Sequence, residues 1–335
     1  MADAPQSKAR PRPRRVWINV VLFAATLLTV FSTGMLFLSQ GEVLLTLPDG
    51  SLALDPEVLS EAVSSGLKFM LALMGILVCH EAGHFVMARR NRVDASLPYF
   101  IPIPPLVSMF GTMGAVIVMR GRIRSRNALM EVGAAGPIAG MVVAVPVLLV
   151  GLSQCPVGPI PEGGWIEGQS LLYVLAKWIV VGPIPEGHDI YVDRSPLAWA
   201  GWIGLLVTTL NLLPIGQLDG GHVFYALWGE AHARISRIFH AGLFALGAGV
   251  AAHGYWLADS AGLEGSESTM SVMPGITWAF LGTLLLVLGR VSKRGLRHPP
   301  TDDDHLSPGH RVVGFVCIVI FVVTFMPVLM RPAIV

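Results

Sequence analysis

Two histidines, His80 and His84, stand four residues apart, with Glu81 next to the first of them. A helix advances about 3.6 residues per turn, so residues four apart share one face. Two imidazoles on that face can point at a single ion, and a carboxylate beside them is free to handle a proton. His-Glu-x-x-His is the arrangement of zinc hydrolases, with the rings as ligands and the Glu as base. In a soluble helix the same residues could be no more than satisfied polar groups. Here they fall in the second half of residues 67–90, an apolar run long enough to cross a bilayer. Ionisable side chains in such a run are costly and mark functional sites by default.

The elements that must hold this motif are membrane elements. Hydrophobic residues make up 53% of the 335-residue chain and charged residues 13%, with a mean hydropathy of +0.64. That is the composition of a polytopic membrane protein. The three cysteines, Cys79, Cys155 and Cys317, are widely spaced and define neither a disulfide framework nor a cysteine-based zinc site. Cys79 lies about 100° round the helix from His80 and reads as core. The arginines cluster at membrane edges without an aromatic platform, which argues against nucleic-acid binding.

In chain order, residues 1–15 are rich in Pro and Arg and should be disordered. Residues 16–39 carry no charge; their apolar part is too long for a signal peptide, so they are the first span. Residues 43–47, 48–50 and 51–54 read as strand, turn and strand, a small surface hairpin. Asp55, Pro56 and Glu57 supply an N-cap, a first-turn proline and an acidic first turn for a short helix leading into the motif span.

Beyond that span, Pro98, Pro102, Pro104 and Pro105 forbid a regular helix. Residues 106–119 are apolar but too short to span as a helix, and Gly111 and Gly114 loosen them. Residues 112–119 suit a strand. Such backbone at membrane depth must be satisfied by protein or by a water-filled cavity, which predicts a re-entrant loop or hairpin. The third span, 128–152, is rich in Gly and Ala over 132–140, allowing close approach to the motif helix, and Pro146 invites a kink.

The following loop repeats Val-Gly-Pro-Ile-Pro-Glu-Gly at 157–163 and 181–187. Two copies are too few for a solenoid; they flank an apolar piece, 171–182, expected on the surface, and suggest at most a small duplicated lid over the site. A fourth span, 196–213, runs into a glycine-loosened stretch in which Asp219 is the one acidic residue. Spans at 236–258, 273–289 and 312–330 complete a prediction of about seven. Asp302, Asp303 and Asp304 read as a solvated loop.

Charge placement orients the chain. With the N-terminus inside and spans alternating, 19 of the 23 Lys and Arg fall in inside segments, as the positive-inside rule requires. The inner half of the second span and the inner end of the fourth then share the cytoplasmic side, where His80, His84 and Asp219 can meet.

His80-Glu81-Ala82-Gly83-His84, Ala135-Gly136-Pro137 and the stretch from Asn211 through Leu218-Asp219-Gly220 together resemble the site-2 protease family of intramembrane zinc metalloproteases. The resemblance covers residues 66–225, and the 97–102 and 298–300 segments are similar to a branch with chloroplast and bacterial members. It implies a three-helix catalytic core in which His80, His84 and Asp219 bind one Zn2+ per chain and Glu81 is the catalytic acid and base. Asn211 resembles the family asparagine beside the site; satisfying a broken helix end ahead of Pro214 is its other reading. His222 is a further imidazole, beyond two glycines, and is not counted as a ligand. The loop at 153–195 is too short for the PDZ domain many relatives insert, so no PDZ-mediated recruitment is expected.

The expected fold is an all-α polytopic membrane protein of about seven spans, with a small re-entrant strand or hairpin segment and a short surface hairpin. Its parts are a basic tail (1–15), a first span and hairpin (16–65), a metalloprotease core (66–235; spans 67–90, 128–152 and 196–213) and C-terminal spans (236–335). The expected function is hydrolysis of peptide bonds in or near transmembrane segments, with transmembrane protein substrates and the lipid bilayer as partners. A bacterial-type plasma membrane is the expected location, with the N-terminus and active-site side cytoplasmic. An unwound client could pair with the strand edge at 111–119. Two rivals stand beside this reading. A zinc or cation transporter would usually need further ligands along a pathway, and the spans after residue 236 offer only His240 and His253. A non-cleaving client-binding protein of the same fold would be signalled by a departure at Glu81.

Overall fold

The computed structural model of the chain describes residues 16–38, 44–46, 52–119, 123–160, 165–291 and 301–333. The expected disordered tail, the turn at 48–50, the basic residues 120 and 122, the end of the first repeat copy and the 298–300 segment lie outside them.

The expected surface hairpin forms, with β1 (Leu44–Thr46) antiparallel to β2 (Leu52–Leu54). The Asp55 carboxylate then accepts the N–H groups of Glu57 at 2.9 Å and Val58 at 3.3 Å and starts a helix. No proline follows until residue 98, so the short helix and the motif span are one continuous 35-residue helix, α2 (Pro56–Arg90). Arg89 and Arg90 sit favourably in its last turn.

The first span is α1 (Val16–Phe37). Beside it runs an antiparallel hairpin of β3 (Tyr99–Pro102) and β4 (Thr112–Val116), with Tyr99 opposite Val116, Phe100 opposite Ala115 and an irregularity before Pro102. Asn19 of α1 donates to the carbonyls of Leu97 and Pro98, both at 3.0 Å. Thr29 donates to the carbonyl of Gly111 at 2.7 Å. A side chain at Gly111 (φ +72°) would strike Val30 and Thr33. The hairpin therefore climbs from Asn19 to Thr33, fourteen residues or about 21 Å of helix, and polar groups of α1 satisfy its backbone at that depth.

The third span is α3 (Arg126–Leu152). After it, β5 (Val157–Pro159), β6 (Trp165–Glu167), α4 (Leu171–Val180) and β7 (His188–Ile190) lead to α5 (Pro196–Asn211). The rest is α6 (Asp219–Trp228), α7 (His232–Ser260), α8 (Ser266–Val291), α9 (Pro308–Thr324) and β8 (Met330–Pro332).

Among the described residues, five helical segments are long and apolar enough to cross a membrane: Val16–Phe37, Pro56–Arg90, Arg126–Leu152, Asp219–Ser260 and Ser266–Arg290. The expected fourth and seventh spans are shorter, at sixteen residues for α5 and seventeen for α9. Twelve of the sixteen residues of α5 are buried, against α2, α3 and α9, so protein rather than lipid surrounds it. Asp219 is not at the end of this span. The chain turns after Leu212, and Asp219 opens a separate helix.

The 153–195 loop is not a lid over the site. Gly140, which touches His80, lies twelve residues, or about 18 Å, before the end of α3, and the loop continues from there. The first repeat copy pairs with the residues just after the second: β5 is antiparallel to β7, and the Ile160 N–H donates to the Gly187 carbonyl at 3.0 Å. β6 pairs antiparallel with β8. The apolar piece expected on the surface, now α4, buries Tyr173, Ala176 and Lys177. The Lys177 ammonium lies 2.9 Å from Glu167 and 2.8 Å from Asp189, and the Tyr173 hydroxyl donates to Glu167 at 2.8 Å. Burial beside Glu167 and Asp189 holds the Tyr173 phenol well above its usual range, so it stays a donor.

Replacing Lys177 with Met should cost about 3–5 kcal/mol, because two part-buried carboxylates lose their shared cation. Thermal unfolding in detergent measures it, and an unchanged transition would show that the cluster contributes nothing.

Candidate metal centre

His80 and His84 meet as their spacing requires, with Nε2 atoms 3.2 Å apart. Asp219 Oδ2 lies 3.3 Å from His80 Nε2 and 3.1 Å from His84 Nε2. The Nδ1 of His84 is 2.7 Å from the Val132 carbonyl. A carbonyl can only accept, so that hydrogen is on Nδ1 and a neutral His84 presents a bare lone pair at Nε2. The amide nitrogen of Asn211 donates to His80 Nε2 at 3.2 Å, so that atom is an acceptor too. Three acceptors thus converge in a buried place, an arrangement that needs a cation. Tetrahedral ligands at 2.0–2.1 Å from an ion stand about 3.3–3.4 Å apart, close to the observed triangle. The donor set therefore fits a small, four-coordinate divalent ion with one position left open. Asp219, with 15% of its side chain exposed, is the most open of the three.

Small residues bring these side chains together. A Cβ on Gly136 would run into the His84 ring, and one on Gly140 would come 3.2 Å from His80 Nδ1. A Cβ on Gly83, in α2, would collide with the Ala135 carbonyl of α3. The predicted close approach of the third span to the motif helix is this glycine face. Pro137, inside α3, donates nothing to the Gly133 carbonyl four residues back.

Asp219 arrives by a different device. The chain reverses at Leu213-Pro214, with Gly216 at φ +58°, and Ser236 takes the Gly216 N–H at 3.1 Å. A side chain on Gly220 would meet the Leu212 and Leu213 carbonyls, and one on Gly221 the Gly216 carbonyl. The two glycines after Asp219 therefore let α6 start directly against the turn. Its N-terminus favours the carboxylate.

Glu81 is buried and close enough to His80, His84 and Asp219 to interact with all three electrostatically. His222 lies one turn beyond Asp219, its Cβ against Gly133, and is not in the three-donor group. The role of Val132 is not legible in the residues, because a backbone carbonyl has no residue type. Glu131, one residue before it, accepts from Asn91 at 2.7 Å and pairs with His310 at 3.1 Å, tying α2, α3 and α9 together. As the lone acid of the third span, it could have been flagged as needing partners.

The model for peptidase family M50 matches residues 68–252, which covers the motif helix, the glycine face and the Asp219 turn. The chain belongs to peptidase family M50. Among curated relatives, "Probable zinc metalloprotease EGY1, chloroplastic" of Arabidopsis thaliana is 30% identical over 237 residues, covering 66% of this chain and 42% of that protein. "Probable zinc metalloprotease EGY2, chloroplastic" of Oryza sativa subsp. indica is 32% identical over 182 residues, or 53% of this chain and 32% of the relative. The matched region thus spans less than half the length of these family M50 relatives. Their names are chloroplastic and lend no support to a bacterial plasma membrane. No solved structure matches.

A Gly136→Ala variant should lower bound metal well below one ion per chain, since its methyl occupies the place of the His84 ring. Gly75→Ala, on the same motif helix but facing open space, should keep full occupancy. Metal analysis of the purified variants compares them, and equal occupancy would refute the role of the glycine face.

Proposed function

We propose that this chain is an intramembrane zinc metalloprotease that cuts membrane proteins in or near their transmembrane segments. The convergence of His80, His84 and Asp219 on one point, within a chain of family M50, carries this reading. These three residues hold one Zn2+, the metal in the names of the relatives. Zinc, when bound, supplies a Lewis acid that polarises a scissile carbonyl and lowers the pKa of water towards ~7.

The protein's residues do the rest. Glu81, buried beside both histidines, takes the proton of the attacking water and returns it to the leaving amine. The Asn211 amide, beside His80, donates to the substrate backbone or to the oxygen on which negative charge develops. Val132 fixes the His84 tautomer, as partners of metal-binding imidazoles do.

A helical client hides its scissile carbonyl in a backbone hydrogen bond and must unwind. Among the described residues β4 pairs on one side only, with β3. The Val118 carbonyl accepts from the Ser96 N–H, so the preceding residue, Ile117, turns its backbone groups the other way. Ile117 also packs on the buried cluster of Ala88, Val93, Ala95 and Val132 near the end of the motif helix. An extended client added to this edge is led towards the metal centre.

The short strands and two short helices described between α3 and α5 support recruitment without an inserted PDZ domain. The site end of the bundle carries Arg89, Arg90, Arg124 and Arg126, which supports a cytoplasmic placement of that end.

Glu81→Gln should retain zinc while cleavage of a reconstituted membrane client falls 10²–10⁴-fold, on the order expected for a lost general base. A transporter would keep its flux with this substitution, and that result would sink the protease reading. Proline at Val116 or Ile117 should abolish cleavage with zinc content intact; unchanged cleavage would reject strand addition.

A further inference from the structure

At the far end of the bundle from the metal centre lies a pocket of about 240 Å³. The end of α1 enters it through Phe37 and Leu38, and the tip between β3 and β4 through Met109. Trp165 and Trp199 form apolar walls. Three acids also line it, Glu167, Asp189 and Asp193.

We propose that this pocket binds a Lys or Arg side chain flanking the far end of a client's membrane span. The inference rests on the protease reading for the existence of a client, and on charge and shape for the rest. No basic residue is among the described residues lining the pocket. Lys177 sits behind it, shared between Glu167 and Asp189, so one positive charge faces three acids. The nearby Arg194 lies 4.5 Å over the Tyr191 ring and lines a neighbouring cleft with Glu57 and Glu61.

The pocket is smaller than the roughly 300–1,000 Å³ of small-molecule sites; one long side chain suits it better than a metabolite. Lys and Arg lay an apolar stem along apolar walls and present a charged tip. Here aromatic walls meet the stem and carboxylates the tip, with ring faces available to a cation. An anionic group would be repelled.

Position points the same way. Met109 belongs to the hairpin whose other end, at Ile117, approaches the motif helix. A client aligned along that hairpin has one end at the metal centre and the other at this pocket.

The test uses the full chain carrying Glu81→Gln, so that clients bind uncut, in vesicles of phosphatidylglycerol, which offers no amine headgroup. Single-span clients differing only in one flanking residue, Lys, Gln or Glu, are compared by binding. The Lys client should bind about five- to tenfold tighter than the Gln client. Asp193 is exposed and outside the buried ion cluster, so Asp193→Lys should fold normally, abolish this preference and favour the Glu client. Trp165→Ala should weaken the Lys client and leave the Gln client unchanged. In the cleaving protein the Lys preference should appear in KM, with kcat unaltered.

Equal binding of Lys and Gln clients overturns the proposal, as does a Lys preference that survives Asp193→Lys. Loss of the preference when phosphatidylethanolamine is added also overturns it, assigning the pocket to a lipid headgroup. Clients that bind with the Lys preference but are never cut by the unmodified chain would overturn the protease reading and leave this one standing.

Discussion

Three lone pairs aimed at one point inside an apolar bundle are the constraint on which the rest of the structure turns. Neither imidazole can relieve the other, because His84 spends its ring hydrogen on Val132 and His80 already accepts from Asn211. The carboxylate of Asp219 adds further negative charge. Such an arrangement is unfavourable in a dry interior without a cation, and surrounding elements must hold it against that tendency. The scaffold near the site accordingly combines close backbone approaches at glycines with a buried core that includes Leu129, Met130, Leu213 and Phe224.

Two halves of the bundle divide the work. Near the metal centre, glycines of α2, α3 and α6 remove side chains so that rings, turn and helix start can share one small volume. Towards the far end, α5 fills the interior with Trp199 and Trp202, stacked 5.0 Å apart, and the Trp202 indole donates to the Gly168 carbonyl at 2.9 Å. α5 crosses between these regimes, its Trp end anchored in the far-end strands and its Asn211 end at the site. The re-entrant hairpin joins the same two regions along the flank of α1.

How much of this could be read from the residues depends on how local each feature is. The His80–His84 pair lies within one helical turn and was legible at once. Bringing Asp219 to it required topology, and alternating spans supplied the correct end of the bundle but not the turn that moves the carboxylate onto its own helix. The hairpin was legible because its prolines and glycines exclude a helix. Its partner was not, because Asn19 and Thr29 look like ordinary polar residues in an uncharged span. Helix lengths misled where tertiary burial overrides them: α5 needs no full bilayer thickness when other helices enclose it. The partners of Lys177 lie ten and twelve residues away on separate strands, a distance no periodicity reports.

The pairing of β6 with β8 brings together Trp165 and Pro332, segments that a ribosome produces 167 residues apart. Until Met330–Pro332 have been synthesised and packed, β6 lacks its partner strand and the acidic hollow beside it lacks the Met330 wall. The far-end subdomain is therefore completed late in biogenesis, after the segment carrying all three metal-facing side chains has been made. A nascent chain stalled in the C-terminal helices would already hold His80, His84 and Asp219, yet its far-end pocket would lack the wall that Met330 supplies.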